Sequence, residues 1–210
     1  SAVEVGCNLI GCKFCFSDKP VRKPGQTGKF YTPQEIFDAL TAAAKRHGNT
    51  LISASASEGT LGRQHLLQLL ALVDKSPFTY ILESNGMLLG HDPGYARELA
   101  AFRDSFHCRI SIKGCNEDEY TRITGAIPES YALPFRALEN LMEAEVSVNA
   151  CLMVSFSTDE SIRQARARLA SIGPGLLKSL EEEVISLFPK VAARLKKTGL
   201  KPTRIRHRGR

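Results

Sequence analysis

The sequence has 210 residues, of which 43% are hydrophobic and 24% are charged, and its net charge is +6. These values are ordinary for a folded domain that is large enough to bury its own core, so they exclude a disordered chain. No apolar run approaches the roughly 18–20 residues that a membrane-spanning helix needs, and no segment has the pattern of a signal peptide. We therefore expect no membrane partner.

The positive charge is concentrated at the C-terminal end. Seven of the 28 lysines and arginines lie between Lys196 and Arg210, and no acidic residue lies among them. We expect residues 1–200 to form the folded domain and residues 201–210 to form a flexible basic tail. A solvated end is the simpler interpretation of this tail, and a nucleic-acid contact is the alternative.

The six cysteines bear on the redox environment. Disulfide frameworks are typical of small secreted domains that lack a sufficient core, which this chain should have. The cysteine count therefore favours a reduced, cytoplasmic protein with a metal or cluster site.

The first predicted element is a strand at residues 2–5, and a cysteine loop follows it. Cys7, Cys12 and Cys15 have C-x4-C-x2-C spacing, and Gly6 and Gly11 allow the backbone to curl. Thiolates are soft ligands that select zinc, copper(I) or iron–sulfur clusters. Such a short loop can direct three sulfurs to one point.

Strands and helices alternate along the rest of the chain. A surface loop at 17–28 precedes a helix that Thr32 and Glu35 can cap as a capping box and that Gly48 can end. Further strands are predicted at 50–57, 78–84, 107–113, 147–155 and 183–188. Further helices are predicted at 63–74, 92–104, 117–123, 131–144, 157–171 and 191–197, with a capping box at 157–160 and a linker at 173–175. This order predicts an α/β protein with a parallel sheet and external helices.

Four of these strands carry polar residues on one face, whereas strands of a parallel sheet are usually apolar throughout. The polar positions are Ser53, Ser55 and Ser57; Glu83 and Asn85; His107, Arg109, Ser111 and Lys113; and Ser147, Asn149, Cys151 and Ser155. Edge strands wetted by solvent could explain one or two of these faces, but not four in succession. The pattern therefore predicts a partial barrel with a polar interior cavity, in which Glu83 and Arg109 are candidates for a charged pair.

The cysteine loop has only three thiols, and the remaining cysteines are scattered. Structural zinc usually takes four ligands, often from two C-x2-C pairs, and no second pair exists here. Three thiolates suit a four-iron cluster with one iron left open for another ligand. Phe14 adds an aromatic wall just before the last of the three cysteines.

These features resemble the radical S-adenosylmethionine (SAM) superfamily, whose members carry C-x3-C-x2-C after the first strand of a partial (β/α)6 barrel. The sequence is similar to archaeal and bacterial members of unassigned substrate. The supporting stretches lie at residues 6–9, 14–20, 28–31, 83–86, 111–114 and 154–157.

The resemblance implies a cofactor set and a role for each matching position. Cys7, Cys12 and Cys15 would hold a [4Fe–4S] cluster, SAM would chelate the fourth iron, and the backbone around Phe14 would meet the adenine. The family's Gly-Gly-Glu-Pro motif falls on Ala56-Ser57-Glu58-Gly59, where Glu58 would help hold the SAM amino group. Other SAM-pocket positions would be Asn85, Ser111, Lys113 and Ser155.

The sequence departs from the family pattern at two points. Four residues, rather than three, separate Cys7 from Cys12, and Ala56-Ser57 replaces the glycine pair. These departures motivate an alternative interpretation, a non-catalytic SAM-binding, nucleotide-binding or metal-binding descendant of the fold.

The principal functional prediction is an oxygen-sensitive radical SAM enzyme. Its cluster would cleave SAM reductively to a 5′-deoxyadenosyl radical that abstracts hydrogen from an unknown substrate. A reductant such as ferredoxin or flavodoxin would be its partner.

Overall fold

The computed structural model describes residues 2–3, 7, 9–17, 19–55 and 57–206. Its centre is a half-barrel of five parallel strands with helices on the outside. The predicted fold class, a partial α/β barrel, is confirmed.

All described strand pairs are parallel. The described strands are β1 (Ala2–Val3), β2 (Leu51–Ile52), β3 (Ala54–Ser55), β4 (Thr79–Ser84), β5 (Phe106–Lys113), β6 (Ser147–Met153), β7 (Glu181–Glu183), β8 (Ile185–Ser186) and β9 (Ile205–Arg206). The main sheet has the order β2-β4-β5-β6-β7, while β1 pairs with β3 and β8 pairs with β9.

Helices connect these strands on the outer side. They are α1 (Lys19–Arg22), α2 (Pro24–Thr27), α3 (Pro33–His47), α4 (Arg63–Val73), α5 (Met87–His91), α6 (Pro93–Leu99), α7 (Glu117–Thr124), α8 (Leu133–Glu143), α9 (Asp159–Ile172), α10 (Pro174–Lys178) and α11 (Pro189–Thr198). None of the helices in the described ranges has both the length and the hydrophobicity that crossing a lipid bilayer requires.

Several boundaries differ from the sequence prediction. The second predicted strand is divided at Ser53 into β2 and β3, and the last is divided into β7 and β8, because each half pairs with a different neighbour. The segment at 17–28, predicted as a loop, contains α1 and α2, and the last two residues of the predicted linker at 173–175 are the first two of α10. The short helix α5 was not predicted at all.

Local capping explains where the longer helices begin. Thr32 and Glu35 form the predicted capping box of α3, and Gly48 ends this helix in a left-handed conformation. The box of α9 is shifted by one residue from the prediction, because Thr158 pairs with Ser161 and not Ser157 with Glu160.

Strand β5 illustrates how the barrel separates its two faces. Phe106, Cys108, Ile110 and Ile112 are buried in the main core under the helices. The alternate positions carry the polar side chains and face the barrel interior. The predicted polar interior follows directly from this alternation.

A second, smaller core lies beside the cysteine loop. Phe14 packs there with Val191 and Leu195 of α11, and the other buried members are Ile123, Met153, Phe156, Ile185 and Leu200. This core fixes the position of α11 relative to the loop.

Candidate functional site

The cysteine loop is anchored through its backbone. The amide of Cys7 donates to the carbonyl of Val21 at 2.8 Å, and that of Lys13 donates to the carbonyl of Ile123 at 2.9 Å. The amide of Gly11 donates to the carbonyl of Thr124, and a Cβ at Gly11 would lie only 2.9 Å from that oxygen. Glycine therefore permits the loop to approach the end of α7 closely.

The thiols of Cys7, Cys12 and Cys15 line one cavity of about 600 Å³. All six cysteines of the chain are free thiols. Within the described ranges, no three His, Cys, Asp or Glu side chains are close enough to hold a single metal ion. A four-iron cluster spreads its ligands more widely than one ion does, because each thiolate binds a different iron.

Burial is the main influence on two of these thiols. It raises the pKa of Cys12 to about 12, and the Lys113 ammonium lowers it only in part. It also raises the pKa of Cys7, with a further contribution from the charge of Glu58. A bound metal would have to displace these protons, because metals bind the thiolate form.

Phe14 lies at the junction between the loop and the cavity wall. The centroid of its ring is 5.7 Å from the ring centroid of Phe156 and 5.9 Å from the Lys113 Nζ. Only 8% of Phe14 is exposed. Phe14 is therefore buried, and it is also one of the residues that line the cavity.

Glu58 is a buried carboxylate on the same cavity. Its Oε1 accepts hydrogen bonds from the hydroxyls of Thr60 at 2.6 Å and Ser84 at 2.8 Å, and its Oε2 accepts one from the amide of Asn85 at 2.7 Å. Burial raises the pKa of Glu58 and these hydrogen bonds offset the rise in part. The carboxylate is thus fixed at the cavity wall near the thiols.

Asn85 joins this carboxylate to the cysteine loop. Its Nδ2 lies 3.8 Å from the Cys7 sulfur, and its Oδ1 accepts from the amide of Met87 at the start of α5. The side chain is therefore held from both ends.

Lys113 and Ser111 form the next part of the wall, on β5. Lys113 donates to the Ser111 hydroxyl, which donates to Glu183 at 3.0 Å. Burial alone would lower the pKa of Lys113, but Glu183 and the neighbouring thiols raise it above its ordinary value. A cation is therefore stable beside the cysteines.

Another part of the wall is a network centred on Arg109. Arg109 donates to Glu83, and its Nε and Nη2 donate to Glu181 at 3.2 and 2.5 Å. Asn149 also donates to Glu181, at 2.8 Å, and its own Oδ1 contacts His107. The predicted pairing of Glu83 with Arg109 is confirmed.

The structure brings most of the predicted site residues to this cavity. Those that line it are Cys7, Cys12, Phe14, Cys15, Ser57, Glu58, Asn85, Ser111 and Lys113. Ala56 lies outside the described residues. Ser155 is fully buried and is not among the lining residues, because its Oγ accepts from the amide of Ile185 and its carbonyl accepts from Thr203.

Several residues at the site were missed from the sequence. Thr60 and Ser84 hold Glu58, but a single hydroxyl residue carries no distinctive pattern. Glu181 and Glu183 share the inner face of β7, and the run of three glutamates was the one available signal. Arg194 donates to the carbonyls of Lys13, at 3.2 Å, and Cys15, so α11 supports the loop directly.

Cys7, Cys12 and Cys15 place three soft thiols on one cavity wall, and the charges of Cys7 and Cys15 raise the pKa of Cys12. Such a donor set fits an iron–sulfur cluster. The model for the family described as "Radical SAM superfamily" matches residues 3–169 of this chain. The chain belongs to the radical SAM superfamily.

Solved radical SAM structures share the fold. Streptococcus suis SuiB bound to S-adenosylmethionine is 14% identical, with a TM-score of 0.64 over 87% of this chain and 38% of SuiB. Native anSMEcpe with bound AdoMet is 17% identical, with a TM-score of 0.62 over 95% of this chain and 58% of that one. HydG, a maturase of the [FeFe]-hydrogenase, is 12% identical, with a TM-score of 0.64 over 94% and 48%.

These identities show a common fold and nothing finer. The chain spans between 38% and 58% of the length of these three structures. No curated protein matches its sequence.

Proposed function

We propose that this chain is the SAM-cleaving domain of a radical SAM enzyme. Cys7, Cys12 and Cys15 would hold a [4Fe–4S] cluster, with SAM in the same cavity. When bound, these groups supply a one-electron cleavage that yields a 5′-deoxyadenosyl radical, which takes a hydrogen atom from the substrate. The observation that carries the proposal is the shared cavity, which three thiols and a polar strand wall line together.

The charged groups beside the thiols match the ends of the SAM methionyl group. The buried Glu58 carboxylate would accept from its ammonium, and the Lys113 ammonium would donate to its carboxylate. Both groups are held by neighbours before any ligand arrives, so little side-chain entropy would be lost on binding. Ser57, Asn85 and Ser111 would contact the rest of the molecule, with Phe14 beside the adenine.

The Arg109 network would face the substrate. It keeps a net negative charge, because the single guanidinium of Arg109 lies between two carboxylates, those of Glu83 and Glu181. SuiB and anSMEcpe have been solved with bound peptides, which supports a macromolecular substrate among the candidates. The six free thiols suit a reducing compartment such as the cytoplasm.

The test is anaerobic reconstitution with iron and sulfide, followed by reduction with dithionite in the presence and absence of SAM. We expect about four irons per chain and 5′-deoxyadenosine that depends on SAM. Cys12→Ala should reduce both to background. Cys108→Ala is the matched control and should retain both, because Cys108 is buried in the main core away from the cavity lining.

Other results would separate the alternatives. Four irons without cleavage would favour the non-catalytic descendant that the Ala56-Ser57 replacement suggests. One zinc and no iron would overturn the radical mechanism.

A further inference from the structure

The outer face of α11 and the turn that follows it carry a concentrated positive charge. No acidic residue occurs between Pro189 and Arg206, whereas seven lysines and arginines do. We call the exposed lysines of this region, Lys190, Lys196, Lys197 and Lys201, the basic α11 surface. Within the described part of the chain, none of the four forms an ion pair with a carboxylate, so their charge faces solvent uncompensated.

This surface is fixed beside the proposed cluster. The opposite face of α11 buries Val191 and Leu195 in the same small core as Phe14. Arg194 donates to the carbonyls of Lys13 and Cys15, within the cysteine loop itself. The basic α11 surface is therefore carried by the helix that packs directly against the cysteine loop.

The charges of the cavity wall and of the basic α11 surface are compensated differently. In the cavity wall Arg109 pairs with Glu83 and Glu181, and Lys113 lies 3.6 Å from Glu183, whereas the lysines of the basic α11 surface have no carboxylate partner among the described residues. Surface potentials of this kind raise the association rate of oppositely charged partners, and the effect falls steeply with ionic strength. A partner with an acidic surface is thus steered to the helix that contacts the cysteine loop.

We propose that the basic α11 surface is the docking site for a small, acidic electron-transfer protein that reduces the cluster. The inference rests on the proposed function, because that function needs one external electron for each SAM cleaved. A bound cluster would take that electron from the donor protein and supply it to the sulfonium, whose C–S bond would break with methionine as the leaving group, so the one-electron oxidation of the donor would balance the cleavage of one SAM. Helix α11 lies between solvent and Cys15, so a partner bound to it is close to the proposed cluster. An electron donor needs this proximity and a nucleic acid does not, which favours the electron donor.

The experiment uses the reconstituted full chain and a flavodoxin hydroquinone of strongly negative net charge. The rate of cluster reduction is followed by stopped-flow bleaching of cluster absorbance at several salt concentrations. The test variant is Lys190→Glu/Lys196→Glu/Lys197→Glu. Its matched control is Lys45→Glu/Arg46→Glu/Lys75→Glu, which makes the same change of net charge on exposed residues near the β2 edge of the sheet.

We expect the second-order rate with flavodoxin to fall about 10- to 100-fold in the α11 variant and to lose most of its salt dependence. The control should stay within about twofold of the unmodified chain, as is usual for charges outside an interface. Reduction by dithionite and the yield of 5′-deoxyadenosine should be unchanged in both variants.

Equal flavodoxin rates in the two variants would overturn the inference. So would salt-sensitive binding of single-stranded RNA that only the α11 variant loses while its flavodoxin rate is unchanged. If the unmodified chain cleaves no SAM with dithionite, the proposed function itself fails, and the docking inference fails with it.

Discussion

Glu58 combines two features that rarely occur together, a charged side chain and 3% exposure. Three donors hold its oxygens, and these contacts come from Thr60, Ser84 and Asn85. The hydrogen bonds compensate only part of the desolvation, so the pKa stays above its ordinary value. The folded protein therefore holds the Glu58 proton more tightly than the unfolded chain does.

The sign of this shift gives a pH dependence. The stability that it contributes is fully present below the unfolded pKa and is lost as the pH rises through the raised folded pKa. Glu58→Gln removes the titration, so the free energy of unfolding of the variant should rise relative to that of the unmodified chain as the pH increases from the unfolded pKa of Glu58 through its raised folded pKa. Urea unfolding at a series of pH values measures this difference.

Glu139→Gln is the control for that experiment, because it also replaces a carboxylate by an amide, but at an exposed position of α8. A Glu58→Gln difference that stays constant with pH would contradict the assignment.

At the scale of elements, a second buried carboxylate joins two helix N-termini. Glu119 in the first turn of α7 accepts from the amide of Cys115 at 2.8 Å and from the hydroxyls of Ser157 at 2.5 Å and Ser161 at 2.7 Å. Ser161 belongs to α9, so one side chain links the ends of β5 and β6 to the helices that follow them. These junctions position the loops at the barrel rim.

Glu119→Ala should lower the free energy of unfolding by about 3 kcal/mol, because it leaves buried donors without a charged acceptor. Glu117→Ala removes an exposed carboxylate from the same helical turn and should cost well under about 1 kcal/mol. Chemical denaturation of both variants tests the comparison. Equal losses would show that Glu119 acts only through the helix terminus and not through its bonds to α9.

Helix α5 shows why some elements were not predictable. It has five residues, which is too few for a periodic pattern, and it depends on close packing against α8. A Cβ at Gly90 would lie 2.0 Å from the carbonyl oxygen of Leu133. The glycine is visible in the sequence, but the backbone that approaches it comes from a position 43 residues later.

At the scale of the whole molecule, the C-terminal segment packs against the residues that follow β6. The amide of Thr203 donates to the carbonyl of Ser155 at 2.7 Å, and Arg204 donates to the carbonyl of Ser157 at 2.6 Å and pairs with Asp159. Strand β9 then pairs with β8. The boundary at residue 200 stays a prediction, but these contacts hold the first part of the basic tail against the barrel.

Truncation after Pro202 should therefore cost about 2 kcal/mol more than truncation after Arg206, because only the longer deletion removes these hydrogen bonds. Thermal and urea unfolding of the two truncated chains measures the difference. Equal stabilities would mean that residues 203–206 contribute nothing to the barrel.

Much of the site was predictable because its signals are local. The spacing of the three cysteines, the Phe14 beside them and the alternation along β5 can all be read within a few residues. The cap at Thr32 was predicted for the same reason, since it needs only a side chain and an amide three residues later.

The sequence by itself therefore determined the alternation of the longer strands and helices, the thiol loop and the polar lining of the barrel, because each follows from a short-range periodicity or spacing. Only the tertiary structure decided which polar groups meet. Arg109 lies 72 residues from Glu181, and Arg194 lies 179 residues from Cys15. Such pairs form only when the barrel folds, because folding brings residues that are distant in the sequence close together. Polar groups that lose contact with water there need hydrogen-bond partners within the protein.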